Sequence, residues 1–201
     1  MARRGLRVIA GTAGGLTLVA PRGGRARPTT DRVKESLFAA LGADRLEDVV
    51  VLDLYAGSGA LGIEALSRGA RRAVLVDRDR PAADACRRNL TSTRLRDRAR
   101  VQCSSVTAFL AAGPPAEAPF GLVFLDPPYD TPDAEVERVL HALADPGWLT
   151  ADASIVVERA AGTRVDVPVG LVPGWERGYG DTLVAVLTTA AGGRWPGHTT
   201  G

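Results

Sequence analysis

The stretch LDLYAGSGALG (residues 52–62) constrains the fold more than any other part of the chain. An apolar, β-rich run, VVVLDLYA at 49–56, stops at a cluster of glycines, and a helical pattern follows at once to about Arg68. Glycine adopts backbone conformations closed to other residues, so Gly57, Gly59 and Gly62 read as a tight strand-to-helix turn. The alternation then repeats. RAVLVD (72–77), RVQCS (100–104) and FGLVFLD (120–126) read as strands. PAADACRRNLTST, VTAFLAA and DAEVERVLHALAD (133–145) read as helices. The later strands ASIVVER (153–159), RVDVPV (164–169) and DTLVAVLTT (181–189) have no long helix between them. The expected fold is α/β, a doubly wound, Rossmann-like sheet that is mostly parallel with an antiparallel edge strand.

Outside this pattern, residues 1–30 suggest a small glycine-rich β-hairpin, LRVIAGTAGGLTLVAP, ahead of a helix that begins at TTDRVKESLFAALG, with Thr30 or Asp31 as its cap. Residues 31–189 would form the main domain, and the Gly- and Thr-rich tail 190–201 is expected to be disordered. The net charge is only +2, yet residues 1–34 carry eight basic side chains against the single acid Asp31. A basic arm on a mildly acidic body suits a polyanion, because clustered arginines bind phosphates and release counterions. Cys86 and Cys103 have neither a metal-ligand nor a disulfide spacing, and His141 and His198 are isolated, so no metal site is expected. No run of 18 apolar residues and no signal-peptide pattern occurs, which points to a cytoplasmic protein with no membrane partner. Nothing demands more than a monomer.

The glycine spacing is G-x-G-x-x-G, and Asp77 ends the next strand 20 positions after Gly57. That pattern fits a nucleoside cofactor whose ribose hydroxyls meet Asp77, without choosing between a dinucleotide and S-adenosylmethionine. Asp53 favours the second. A carboxylate beside a pyrophosphate meets like charge in a partly desolvated cleft, whereas S-adenosylmethionine has a sulfonium and an ammonium group and no phosphate. Its amino acid portion would lie over the Gly57–Gly59 loop, where missing side chains allow close approach.

A second motif, DPPY at 126–129, ends the fourth strand. In open α/β sheets ligands bind beyond the carboxyl ends of the strands, at the switch point of strand order, so this turn should face the glycine loop. Its chemistry suits an exocyclic amine on a flipped base. The Asp126 side chain and the Pro127 carbonyl would accept the two N–H bonds and direct the lone pair outward, in a geometry that adjacent prolines stiffen. Tyr129 would stack on the base.

With both motifs placed, the chain resembles class I S-adenosylmethionine-dependent methyltransferases, and more closely the RsmD family of bacterial 16S ribosomal RNA guanine-N2 methyltransferases. RVIAGTAGG, RPTTDRVKESLF, VLDLYAGSGALGIEALSRGA and LDPPY carry the resemblance, over residues 6 to 188. It implies a cofactor pocket lined by Asp53, Tyr55, Ala56, Gly57, Gly59, Asp77, Arg78, Ser105, Val106 and Asp126. It implies that Asp126, Pro127 and Tyr129 handle the base, and that Arg7, Arg22, Arg25, Arg27, Thr29, Arg32 and Lys34 contact RNA. Relatives often place an aspartate after the third strand, where Ser104 and Ser105 stand here, so a serine hydroxyl or the Val106 backbone would hold the adenine. The substrate would be 16S rRNA within a small-subunit particle. Rivals are a DNA adenine or cytosine amino-methyltransferase, for which the chain has little room for a target-recognition domain, and a non-catalytic RNA-binding protein, against which two intact motifs argue. An NAD-dependent dehydrogenase is disfavoured by Asp53.

Overall fold

The structure, a computed structural model, describes residues 6–22, 31–163 and 165–192. Seven strands form one sheet: β1 Val50–Leu54, β2 Arg72–Asp77, β3 Ala99–Cys103, β4 Phe120–Leu125, β5 Leu149–Ala160, β6 Leu171–Tyr179 and β7 Thr182–Thr189. Five helices accompany them: α1 Asp31–Leu41, α2 Ala60–Ser67, α3 Arg80–Ser92, α4 Val106–Ala111 and α5 Asp133–Ala144. The strand order is β3-β2-β1-β4-β5-β7-β6. Strands β1 to β5 are parallel neighbours, and β7 runs antiparallel to both β5 and β6. The antiparallel strand expected at that end is therefore β7, one place in from the rim.

The long apolar runs of β1, β2 and β4 follow from burial on both sides, since successive side chains point to opposite faces. Val50, Leu52 and Leu54 face one core with Val123, Leu125, Val136 and Leu140, beneath α4 and α5. Val51, Leu75 and Phe124 face the other with Leu37, Phe38, Ile63 and Leu66, beneath α1 and α2. Phe38 anchors α1 there, its ring centroid 5.8 Å from that of Phe124.

Two expectations change in the last third. RVDVPV forms no strand: residues 165–168 lack regular structure and a turn follows. The edge strand is instead β6, LVPGWERGY, joined to β7 by the two-residue turn Gly180–Asp181, with Gly180 at φ +61°. Pro173 lies inside that run, where a central strand would not tolerate it. At an edge the missing N–H costs nothing, and the register shifts between Pro173 and Trp175. Residues 190–192, expected as the start of a disordered tail, form a 3-10 turn, while the remainder of the tail lies outside the described residues.

The N-terminal segment does form a hairpin, with Arg7 bridged to Thr17, but it is no free arm. Val8, Ala13 and Leu18 are buried within the core beneath α1 and α2. The Glu64 carboxylate accepts the N–H groups of Ile9 (2.7 Å) and Ala10 (3.0 Å). Ser67 closes the joint, its Oγ accepting the Ala13 N–H at 2.9 Å and its carbonyl accepting the Thr12 N–H at 2.8 Å. Gly11 makes that close approach possible: φ is +82°, and a Cβ there would fall 1.9 Å from the Ser67 carbonyl oxygen.

Candidate active site

The site grows from the carboxyl ends of β1 and β4, which lie side by side with Leu54 opposite Leu125. Here the order of strands reverses, so no crossover helix covers the gap between the two ends. After Leu54 the chain turns through Tyr55 at φ +59° and Gly57 at φ +56°, and Gly59 at φ +77° precedes α2. A non-glycine residue in the left-handed region costs of order 1–3 kcal/mol, and such strain gathers at functional loops. Gly59 also has no room for a side chain, since a Cβ would come within 2.7 Å of the Leu75 Cδ2.

Two carboxylates hold this loop. Asp53 lies beneath it, 2% exposed, with Oδ2 accepting the Gly62 N–H at 2.9 Å. A Cβ on Gly62 would sit 2.9 Å from that oxygen, which explains the third glycine. Burial pushes the Asp53 carboxyl up to about 7, against the Gly62 N–H and with a smaller upward contribution from Asp77. Asp77, at the end of β2, accepts the Gly57 N–H at 2.8 Å through Oδ2 and the Asp79 N–H at 2.9 Å through Oδ1. Each oxygen retains acceptor capacity for a diol. From α3, the Cys86 thiol donates to the Gly57 carbonyl at 3.3 Å and the Asn89 amide donates to the Ser58 carbonyl at 2.8 Å. Ala56 lies in the loop and donates its N–H to the Val76 carbonyl, and Arg78 is exposed beyond Asp77.

The turn after β4 is held from three sides. Asp126 is half-buried and Pro127 buried, whereas Tyr129 is 41% exposed. The Tyr129 hydroxyl meets the Thr182 Oγ1 at 2.5 Å, so its ring is tethered to the start of β7. The Arg159 Nη2 donates to the Thr131 carbonyl (2.9 Å) and to Asp133 (2.6 Å). The Tyr55 hydroxyl donates to the Glu135 Oε1 at 3.0 Å and ties the glycine loop to the first turn of α5. Burial and that bond raise the Tyr55 hydroxyl above its ordinary value.

These supports, Thr182, Arg159, Glu135 and Asn89, were not picked out from the sequence, where none stands in a motif. Only the turn signal before Thr182, in GYGDT, could have directed attention there. Ser105 and Val106 open α4 beside the end of β2, where the Ser104 N–H donates to the Asp77 carbonyl. The Ser105 hydroxyl caps that helix by accepting the Ala108 N–H at 3.2 Å.

Among the basic residues, Arg7 pairs with Asp31 at 2.9 Å and stays 40% exposed, and Arg22 and Arg32 are exposed. Arg25, Arg27 and Thr29 lie outside the described residues, as does the Thr30 cap. Lys34 corrects an expectation. It is fully buried on the α1 face that carries Val33, Leu37, Phe38 and Leu41, its amine donating to the Arg7 carbonyl and lying 3.8 Å from Glu64. It cannot touch RNA from there. Burial lowers its pKa, with Glu64 pulling the other way.

A sheet ordered 3-2-1-4-5-7-6, with a glycine loop after β1, an acid ending β2 and a proline turn after β4, defines a class I methyltransferase. The chain belongs to the RsmD family, described as Conserved hypothetical protein 95, which matches residues 6–188. It is 41% identical to ribosomal RNA small subunit methyltransferase D of Escherichia coli over 153 residues, covering 76% of this chain and 74% of that protein. It is 38% identical to YlbH of Bacillus subtilis over 182 residues, covering 90% and 97%. The solved structure of yhhF from Escherichia coli superposes with a TM-score of 0.81 at 34% identity, covering 92% of this chain and 97% of that one. Among the described residues no helix is long and apolar enough to cross a membrane.

Proposed function

We propose that this protein transfers a methyl group from S-adenosylmethionine to the exocyclic 2-amino group of a guanine in small-subunit ribosomal RNA. The observation that carries the reading is the adjacency of two motifs: the strained glycine loop leaves β1 at the level where the DPPY turn leaves β4. When bound, S-adenosylmethionine supplies an electrophilic methyl on a sulfonium. The residues fit such a molecule. Gly57 and Gly59 leave the loop backbone bare, Asp77 offers its carboxylate to a diol, and Asp53 places a titratable carboxyl beneath a cationic ligand rather than beside a phosphate.

The guanine amine is a poor nucleophile because its lone pair is delocalised into the ring. Asp126 and the Pro127 carbonyl accept its two N–H bonds and favour the pyramidal form, while Tyr129, pinned by Thr182, offers a ring face for the extruded base. Arg7, Arg22, Arg25, Arg27, Thr29 and Arg32 contact the phosphate backbone. Support for rRNA over DNA comes from the Escherichia coli relative named for the small ribosomal subunit, aligned across three quarters of both chains. The protein acts as a cytoplasmic monomer on a small-subunit particle. Labelled S-adenosylmethionine incubated with small subunits lacking this modification tests the reading: label should appear in 2-methylguanosine after nucleoside digestion. Label in another nucleoside, or only with DNA added, would refute it.

A further inference from the structure

The pairing of β4 with β5 sets a second carboxylate beside Asp126. Phe124 lies opposite Val156 and Leu125 opposite Val157. One rung beyond the end of β4, the same register places Glu158 next to Asp126. Side chains alternate between faces along a strand, so both carboxylates share the face of Phe124 and Val156, against which α1 and α2 pack. Glu158 is also paired with Val184 of β7, and Thr182, two residues before Val184, holds the Tyr129 hydroxyl at 2.5 Å. Diagonal neighbours of this kind in an antiparallel pair lie about 7–8 Å apart. Asp126, Glu158 and Tyr129 therefore converge on one face, at the carboxyl ends of β4 and β5. Glu158 is 8% exposed and Tyr129 41%, so a largely buried carboxylate stands beside an exposed aromatic ring.

We propose that Glu158 is the specificity-determining residue that selects guanine, by accepting the N1–H next to the amine that is methylated. This rests on the roles of Asp126 and Tyr129 in the function proposed above. Guanine offers three donors here, N1–H and the two hydrogens of its 2-amino group. The Asp126 side chain and the Pro127 carbonyl accept the amine's two, which leaves N1–H for the neighbouring carboxylate. Adenine and cytosine instead present a bare ring nitrogen beside their exocyclic amine. Against that lone pair a carboxylate meets a second acceptor in a desolvated site and is repelled. The DPPY turn alone suits an exocyclic amine on any of these bases, and Glu158, one strand over, supplies the choice among them. Glu158 takes no proton. The N1 proton stays on the base, while the proton displaced by the methyl group leaves from N2.

The test compares kcat/KM on small subunits reconstituted with unmodified rRNA and with rRNA carrying 2-aminopurine in place of the methylated guanosine. 2-Aminopurine keeps the 2-amino group, but its N1 is an acceptor and its C6 bears no oxygen. The wild type should prefer guanine by at least about 30-fold, the worth of a hydrogen bond to a charged group. In Glu158→Gln the side-chain amide can accept from N1–H or donate to a bare N1, so the preference should shrink by at least about tenfold. Any contribution of O6 is common to both enzymes and cancels from that comparison. A purely structural role for Glu158 would lower both rates together and leave their ratio alone. If Glu158→Gln yields no protein that binds S-adenosylhomocysteine, the ratio is read in Glu158→Asp, which draws the charge back by one methylene and should lose preference in the same direction. A wild-type preference below about tenfold, or one that the substitution leaves unchanged, overturns the role of Glu158 while leaving the function reading in place. A wild type that forms no 2-methylguanosine in unmodified subunits overturns both.

Discussion

At the scale of single residues, the site depends on groups held by neighbours that do no chemistry. Tyr129 shows the division. In the proposed reaction its ring is the stacking face, and its hydroxyl makes the tether to Thr182. Tyr129→Ala should therefore lower kcat/KM by about 10- to 100-fold, the worth of one base–aromatic stack, whereas Tyr129→Phe should lose only severalfold. Equal losses in a steady-state comparison would show that the hydroxyl, not the ring, matters. Asp53 yields a pH signature. A carboxyl whose pKa rises on folding, here to about 7, favours the folded state while protonated, and that contribution fades as the pH climbs through the folded value. The melting temperature of the ligand-free protein should fall between about pH 4 and pH 7, and Asp53→Asn should flatten that slope. An unchanged slope in the variant would remove Asp53 as its source. The positions of the glycine turn after β1, of Asp77 at the end of β2 and of the DPPY turn after β4 could be read from the sequence, because each follows a local steric or spacing rule. Lys34 could have been: its helical spacing from Leu37, Phe38 and Leu41 already put it inside, and counting charge along the chain hid that.

Among the elements, the hairpin and α1 matter most, because both reach the body through buried polar joints. Glu64 is fully buried and serves four partners: the Ile9 and Ala10 N–H groups, Arg68 at 2.7 Å and Lys34. Glu64→Leu would leave the buried Lys34 ammonium without its counter-charge and the Ile9 and Ala10 N–H groups without their acceptor, at a cost of about 3–5 kcal/mol in urea unfolding. A cost below about 1 kcal/mol would mean that the joint relaxes into water. Element order from β1 to α5 was readable because apolar runs and helical periods alternate there. The failure at β6 has a physical cause. An edge strand tolerates Pro173 and a register shift, so it lacks the continuous signal that burial on both faces imposes on β1 or β4. Long-range joints such as Glu64 to the hairpin, 54 and 55 residues apart in sequence, leave no local trace at all.

For the whole molecule, the described part of the N-terminal hairpin packs against α2 and α3, the helices on either side of the glycine loop, through Glu64 and Asn89. Deleting the first 26 residues to test RNA binding would strip Val8, Ala13 and Leu18 from the core and expose Glu64, so neutralising charge is the cleaner experiment. Replacing Arg22, Arg25 and Arg27 together by alanine should weaken rRNA binding and reduce the slope of log K against log salt by about 0.7 for each phosphate no longer neutralised. An unchanged slope would place the RNA elsewhere on the surface. The central claim is that the turn after β4 activates the amine while the loop after β1 holds the donor, and Asp126→Ala separates the two. The decisive measurement is single-turnover methyl transfer to small subunits at saturating S-adenosylmethionine, with the affinity for S-adenosylhomocysteine measured on the same preparation. Loss of an acceptor aimed at the reacting group predicts a rate reduced by about 10²- to 10³-fold with unchanged nucleoside affinity. Transfer at the wild-type rate would contradict the account.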